Sequence, residues 1–269
     1  MEELTIKINK TTLFVVSALI VGLTLGYGGR FFQTKDYVKA NEEVTPTEVV
    51  ATGDNEQAGP TITMDTIRGL FDGNNITIGN KNSKLVFVEI SDPSCPYCSI
   101  ASGQNPSLNQ QAGERFVLVS DGGSYLAPVT EMKKLVEQGK ASFVWLYANG
   151  HNNGEVGAKA LYCANEKGKF LQANDLLMSG AGYAIMNDTT LDDSAKATQI
   201  ADLLKSVVDY NTMKSCLDGG KYDSKLAEDM NTAMQLGFQG TPSFFVNTMN
   251  FSGAYNYTDM EPYANAALK

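Results

Sequence analysis

The chain has 269 residues, of which 43% are hydrophobic and 19% are charged, with 25 glycines and 8 prolines. A chain of this length buries a sizeable core, which excludes a small disulfide-stapled fold, and its average composition excludes collagen, coiled coil and wholesale disorder. The formal net charge of −9 repels a phosphate backbone and therefore argues against a nucleic-acid partner.

One segment near the N-terminus is apolar enough to meet a membrane. After a short tail at residues 1–10, residues 11–29 carry no charged side chain and approach the roughly 20 residues that span a bilayer. A cleaved signal peptide is the alternative, because Lys7 and Lys10 precede the apolar run. No A-x-A-like cleavage site follows before Arg30, so the pattern favours an uncleaved transmembrane signal-anchor.

The next segment, residues 30–61, is predicted to be a flexible linker. From residue 41 to residue 61 it has no aromatic residue, lysine or arginine, and acids and prolines are scattered through it. Residues 62–269 hold all four cysteines, the single tryptophan and the single histidine, and are predicted to form the folded domain.

Hydrophobic periodicity predicts alternating strands and helices in this domain. In chain order the predicted elements are a strand at residues 84–91, a helix from Pro96, an irregular stretch at residues 103–126, a strand at residues 141–147, a helical block, a hairpin from residues 243–247 and 250–254, and a helix after Thr258. Such an order predicts an α/β fold, in which helices cover a mixed sheet.

The strongest chemical signal is the sequence Cys95-Pro96-Tyr97-Cys98, which follows a predicted strand and begins a predicted helix. Pro96 suits the first helical position. The free N–H groups and the dipole of a helix N-terminus stabilise a thiolate, so Cys95 is the predicted nucleophile. Cys98, one turn later, is placed to attack a mixed disulfide on Cys95 and resolve it.

Two other interpretations of this motif remain. One is half of a zinc site, but Cys163 and Cys216 are single cysteines and His151 is the only histidine, so the ligand spacing of a zinc site is absent. No metal is therefore predicted. The other is a merely structural loop disulfide.

The residues around the motif resemble the DsbA-like branch of thioredoxin-fold thiol-disulfide oxidoreductases. The resemblance rests on VEISDPSCPYC and QGTPSFFVN and extends over about residues 76–268, including the segments around Cys163 and Cys216. It implies a thioredoxin fold with a helical subdomain, at about residues 152–236, inserted before the last hairpin.

The resemblance also implies roles for single residues. Glu89 matches a buried acid that relays the proton of the resolving thiol, and strand alternation places it on one face with Leu85 and Phe87. Pro242 matches a cis-proline, whose loop lets Thr241 offer backbone hydrogen bonds to an extended substrate. Tyr97 stands in the active-site loop where many members have a histidine.

Cys163 and Cys216 are expected to form a structural disulfide that closes the helical insertion. This pairing follows from the family-like segments around both residues and from an oxidising compartment. Two buried free thiols are the alternative, because cysteine is among the most buried residue types.

The expected function is that of a membrane-anchored, extracytoplasmic thiol-disulfide oxidoreductase that introduces or exchanges disulfides in exported proteins. It needs no cofactor beyond its redox-active cysteine pair, and the expected partners are cysteine-containing exported proteins and a membrane redox partner. The chain is expected to be a monomer. A reductase or isomerase with the same fold and a different redox potential is one alternative, and a non-enzymatic, membrane-anchored binding module is the other.

Overall fold

The computed structural model describes residues 61–269. The predicted N-terminal tail, the anchor at residues 11–29 and nearly all of the linker therefore lie outside the described residues. Within residues 61–269, no helix is long and apolar enough to cross a membrane.

The described part of the chain alternates strands and helices. In chain order the elements are α1 (Met64–Gly69), β1 (Ile76–Ile78), β2 (Val86–Ser91), α2 (Pro96–Ser102), α3 (Pro106–Gln111), α4 (Pro128–Glu137), β3 (Ser142–Tyr147), α5 (Glu155–Asn165), α6 (Phe170–Leu177), α7 (Gly180–Asn187), α8 (Asp193–Leu203), α9 (Tyr210–Asp218), α10 (Asp223–Gln235), β4 (Ser243–Val246), β5 (Met249–Ser252) and α11 (Tyr257–Leu268).

The strands form one mixed sheet in the order β1-β3-β2-β4-β5. Strands β2 and β3 are parallel, and the other three pairs are antiparallel. Every residue of β2, β3 and β4 is buried, because helices cover both faces of the sheet. The prediction of an α/β thioredoxin fold with a helical insertion is confirmed.

Alternation along β2 sends its side chains into two different cores. Val86, Val88 and Ile90 contact one core, to which α1 and α10 also contribute. Phe87 contacts the larger core on the opposite face, where α2, α4, α11 and the first helices of the insertion pack. Because Glu89 alternates in step with Phe87, it lies on the face that carries α2 and the cysteine motif.

The observed elements differ from the sequence prediction in detail. The two central strands are one or two residues shorter than predicted, and β1 has only three residues, too few for a period-2 pattern. Residues 103–126 contain α3 and two short 3-10 turns, held by a small apolar cluster around Phe116, Leu118 and Tyr125.

The insertion between β3 and β4 consists of the six helices α5 to α10. Cys163 on α5 and Cys216 on α9 are joined in a disulfide, with their Cα atoms 6.1 Å apart. Cys163 is buried and Cys216 is half-buried, so the bond ties an outer helix to a core helix of the same insertion.

Replacing this disulfide by the double substitution Cys163→Ser and Cys216→Ser should lower the free energy of unfolding by about 4 kcal/mol, because the bond closes a loop of 53 residues in the unfolded chain. The measurement is urea unfolding of the oxidised protein, in which the midpoint should fall. The control is the same comparison under strong reductant, where the two proteins should become equally stable. Equal midpoints without reductant would contradict the prediction.

Candidate active site

The cysteine motif begins helix α2 directly after the central strand β2. Cys95 is the N-cap residue, with φ −73° and ψ 126°, and Pro96 takes the first helical position. The turn before it is closed by a hydrogen bond of 3.0 Å from the Cys95 N–H to the Asp92 carbonyl oxygen. Because β2 is buried on both faces, the motif is held on a rigid support at the end of that strand.

Cys95 and Cys98 are free thiols in this structure. In its protonated form, Cys95 donates a hydrogen bond of 3.5 Å to the Thr241 carbonyl oxygen. The pKa of Cys95 is lowered to about 6, chiefly by its hydrogen bond with Cys98, with smaller contributions from the Thr241 side chain and from backbone N–H groups of the motif. Burial opposes this shift without cancelling it. Cys95 is therefore largely a thiolate at neutral pH.

Cys98 has the opposite character. Its sulfur is completely buried and accepts a hydrogen bond of 3.4 Å from the Asp92 N–H. Burial, followed by the neighbouring Cys95, raises the pKa of Cys98 well above its ordinary value. Cys95 is thus activated as a nucleophile, whereas Cys98 remains a protonated thiol.

The loop before β4 faces Cys95. The Thr241–Pro242 peptide bond is cis, and its Thr241 carbonyl oxygen is the acceptor for the Cys95 thiol. Gly150, in the loop after β3, lies directly against Thr241: a Cβ added there would come within 1.8 Å of the Thr241 Oγ1. A larger residue at 150 would therefore require the Thr241 side chain, or the loop that carries it, to move.

Asp92 connects these loops. Its carboxylate is fully buried and accepts hydrogen bonds from the N–H and hydroxyl of Ser94 and from the N–H groups of Gly150 and His151, all between 2.7 and 2.8 Å. The same residue donates its N–H to Cys98. One side chain therefore ties the turn before the cysteines to the loop that supports Thr241.

Glu89 lies below α2 with 1% of its surface exposed. Neither of its carboxyl oxygens has a hydrogen-bond partner within residues 61–269. Burial raises the pKa of Glu89 to about 7, and the nearby Ser91 hydroxyl partly opposes this. Near neutral pH the group can therefore hold or release a proton.

An open groove with a volume of about 660 Å³ begins at the cysteine motif. Tyr97, 46% exposed, forms one end, and its ring lies 6.0 Å from that of Phe116. Arg115 stacks over Phe116 at 4.5 Å. The remaining lining residues are Ser124, Tyr125, Thr241, Ser252, Gly253, Ala254, Tyr255, Asn256, Thr258 and Asp259. The stretch at 103–126, to which the sequence assigned no role, thus supplies one wall of this groove.

The helical insertion covers the cysteine pair from the other side. Met178, between α6 and α7, forms a small buried cluster with Cys95 and Cys98. Its carbonyl oxygen accepts a hydrogen bond of 2.8 Å from the Ser99 hydroxyl of α2. The Asn187 side chain donates a bond of 3.1 Å to the Ser94 carbonyl oxygen. These contacts fix the insertion to the active-site turn.

Comparison with known proteins decides the family. The thioredoxin family model matches residues 129–265, which make up about half of the chain and include the cis-proline loop and the insertion. The chain belongs to the thioredoxin family. The match begins after the cysteine motif, so the motif itself rests on the geometry described above.

Curated proteins and solved structures that are similar to this chain include named disulfide oxidoreductases. A Rickettsia prowazekii protein named "Putative protein-disulfide oxidoreductase" is 24% identical over 229 residues, covering 81% of this chain and 72% of its own. Oxidised BdbD from Bacillus subtilis is similar in structure, with a TM-score of 0.54 at 18% identity over 72% of this chain and 93% of BdbD. Wolbachia pipientis alpha-DsbA1 follows, with a TM-score of 0.51 at 14% identity over 72% and 91%. The predicted membership of the DsbA-like thioredoxin-fold family is confirmed.

This thioredoxin-family structure brings most of the predicted site residues together. Cys95 contacts the Thr241–Pro242 loop, Tyr97 lines the same groove as Thr241, and Glu89 lies on the face of the sheet that carries the motif. The Cys163–Cys216 disulfide belongs to the insertion. The sequence assigned no role at the site to Asp92 or Met178. Their roles depend on donors and sulfurs far away in the chain, which no local pattern reveals.

The acidity of Cys95 in this thioredoxin-family protein is directly measurable. Alkylation of Cys95 in the reduced protein should follow its thiolate fraction, with half-maximal rate near pH 6. Because the hydrogen bond with Cys98 is the largest cause of the shift, Cys98→Ala should move the midpoint upward, towards about pH 8.5. A wild-type midpoint near 8.5 would contradict the assignment of Cys95 as the activated thiol.

Proposed function

We propose that this protein is an extracytoplasmic thiol-disulfide oxidoreductase that introduces or exchanges disulfides in exported proteins through Cys95 and Cys98. The observation that carries the proposal is the pair of adjacent buried sulfurs with opposite pKa shifts, beside a cis-proline loop whose carbonyl contacts the nucleophile. The enzyme class agrees with the name of the rickettsial relative. The proposed reaction needs no cofactor beyond the redox-active cysteine pair.

The proposed reaction transfers a disulfide from the enzyme to its substrate. A substrate thiolate attacks the Cys95 sulfur of the oxidised pair, the Cys95–Cys98 bond breaks, and Cys98 leaves as a thiolate with the electron pair. A second substrate thiolate then attacks the substrate sulfur of the mixed disulfide and releases Cys95 as a thiolate. The substrate gains a disulfide, and the enzyme gains the two electrons.

Oxidation is the proposed net direction. The lowered pKa of Cys95 stabilises the reduced enzyme and makes Cys95 a good leaving group from the mixed disulfide, and both effects favour donation of the disulfide. A binding module has no comparable need for an acidic thiol. Among the proposed partners, cysteine-containing exported proteins fit the open groove beside Tyr97, and a membrane redox partner reoxidises the cysteine pair.

The direction can be tested by equilibrating the cysteine pair with glutathione buffers. An oxidase is expected to show a reduction potential above about −180 mV, and its oxidised form should convert a reduced, unfolded two-cysteine protein stoichiometrically. A potential near about −270 mV would instead assign the protein to the reductases. No transfer to any thiol substrate would overturn the enzymatic proposal.

The protein is proposed to be a monomer whose catalytic domain lies outside the cytoplasm. Residues 11–29 are proposed to tether this domain to the membrane. Protease added to cells whose outer envelope is open should cut the linker and release an active domain that begins near Met64, because exposed and uncompacted backbone is what proteases cut. Size and activity of the released fragment are the measurements. Protection of the linker until the anchoring membrane is permeabilised would contradict this orientation.

A further inference from the structure

The proton path to Cys98 is a separate question from the choice of nucleophile. Cys98 must lose a proton before it attacks a mixed disulfide, and it must gain one after it leaves as a thiolate. Its sulfur is completely buried, so bulk water does not reach it directly. Glu89 is the buried acid on the same face of the sheet, and the two groups belong to different elements.

Ser91 is close in the fold to both of these groups: it follows Glu89 on β2 and directly precedes the residue whose N–H binds the Cys98 sulfur. Glu89 and Ser91 are two residues apart on β2, so their side chains emerge on the same face about 6.6 Å apart along the strand. The Cys98 sulfur accepts the N–H of Asp92, which places it beside the peptide group that follows Ser91. Both Glu89 and Ser91 are buried, with 1% and 0% of their surfaces exposed.

The Ser91 hydroxyl makes no hydrogen bond to any other group in the described part of the chain. Within the described part of the chain, neither the Ser91 Oγ nor the two Glu89 carboxyl oxygens has a hydrogen-bond partner. A buried polar group without a partner costs free energy, so such a group in a native fold calls for an explanation. Burial raises the pKa of Glu89 and of Cys98, and the Ser91 hydroxyl partly opposes both shifts, which agrees with its place on β2 beside the two groups.

Three other titratable groups near Ser91 are less suited to the task. Tyr147 pairs with Ser91 across the parallel strands, but burial and the nearby acids Asp92 and Glu155 raise its pKa and keep it protonated. The Asp92 carboxylate already accepts four hydrogen bonds. Cys95 is the reacting nucleophile itself.

We propose that the Ser91 hydroxyl relays the proton between Glu89 and Cys98. This inference rests on the proposed function. When Cys98 leaves as a thiolate, Ser91 donates its hydroxyl proton to the Cys98 sulfur and takes the proton of the Glu89 carboxyl group. In the reverse direction the Cys98 thiol protonates Ser91, whose own proton passes to the Glu89 carboxylate. The Cys98 thiolate then attacks Cys95 and releases the bound thiol as a thiolate.

The test measures how fast a mixed disulfide between Cys95 and glutathione is resolved. The release of glutathione is recorded at different pH values. In the wild type the resolution rate should change with pH around the pKa of Glu89, near 7. Ser91→Ala should slow resolution by about tenfold or more and remove this inflection, because the hydroxyl link is lost. Ser91→Thr, which keeps a hydroxyl, should retain the inflection.

A matched control separates the relay from packing. Ser102 is also buried and its hydroxyl bonds to the Ser99 carbonyl oxygen at 2.6 Å within α2, so Ser102→Ala should resolve at the wild-type rate. The Cys95 thiolate titration should be the same in all variants. Ser91→Ala with the wild-type rate, or with a slower rate but an unchanged inflection, would overturn the relay. Because glutathione alone is the probe, failure to oxidise protein substrates is a distinct result that counts against the proposed function.

Discussion

Cys95→Ser is expected to abolish disulfide transfer, with a loss of about 10³-fold or more, whereas Cys98→Ser should trap substrates as stable mixed disulfides. The asymmetry follows from the two pKa shifts: Cys95 supplies the thiolate that bonds to the substrate, and Cys98 supplies the attack that releases it. The measurements are turnover with a reduced protein substrate and the amount of enzyme–substrate conjugate on non-reducing gels.

The double variant Cys95→Ser, Cys98→Ser serves as the control for conjugates formed through other cysteines, because it retains the Cys163–Cys216 disulfide. It should give no conjugate. Equal residual turnover in the two single variants, or conjugates that require Cys98 rather than Cys95, would refute the assignment of roles.

Asp92→Ala is expected to lower the free energy of unfolding by about 3 kcal/mol or more and to reduce disulfide transfer. The substitution removes a fully buried acceptor and leaves the N–H and hydroxyl of Ser94, which is itself fully buried, without a partner. The N–H groups of the exposed residues Gly150 and His151 lose the same acceptor. The substitution also loosens the loop that supports Thr241, because Gly150 in that loop lies directly against Thr241. Urea unfolding and the transfer rate measure the two effects.

Asp121→Ala provides a matched control, because this aspartate is exposed and lies outside the loops that Asp92 connects. Its effect on stability should stay within about 0.5 kcal/mol. If Asp92→Ala proved as stable and as active as the control, Asp92 would have no part in holding the site together.

Features of this structure that depend on local sequence patterns, such as the face of a strand or the start of a helix, could be predicted from the sequence. Alternation along β2 places Glu89 on the face of Phe87, and a strand followed by Pro96 indicates where α2 begins. The same alternation puts Ser91 on that face as well, although the sequence gives no reason to single it out. The prediction of a cis peptide bond before Pro242 came from the family resemblance rather than from any local pattern.

Long-range contacts account for what the sequence did not reveal. The Gly150 and His151 donors of Asp92 lie 58 and 59 residues further along the chain, and the groove wall around Phe116 belongs to a stretch with short turns and no period. The apolar character of Met178 predicts that it is buried, but only the fold shows that it is buried against the two active-site sulfurs. Such contacts arise because the insertion folds back over α2.

The disulfide of the insertion also bears on how the protein matures. Four cysteines allow three pairings. Since Cys163 bonds to Cys216, Cys95 and Cys98 are left to pair with each other, so neither bond spans a cysteine of the other. A chain that emerges from its N-terminus presents the first two thiols together before the third appears. Each bond can then form in order of emergence and persist, and maturation requires no reshuffling of a misplaced crosslink.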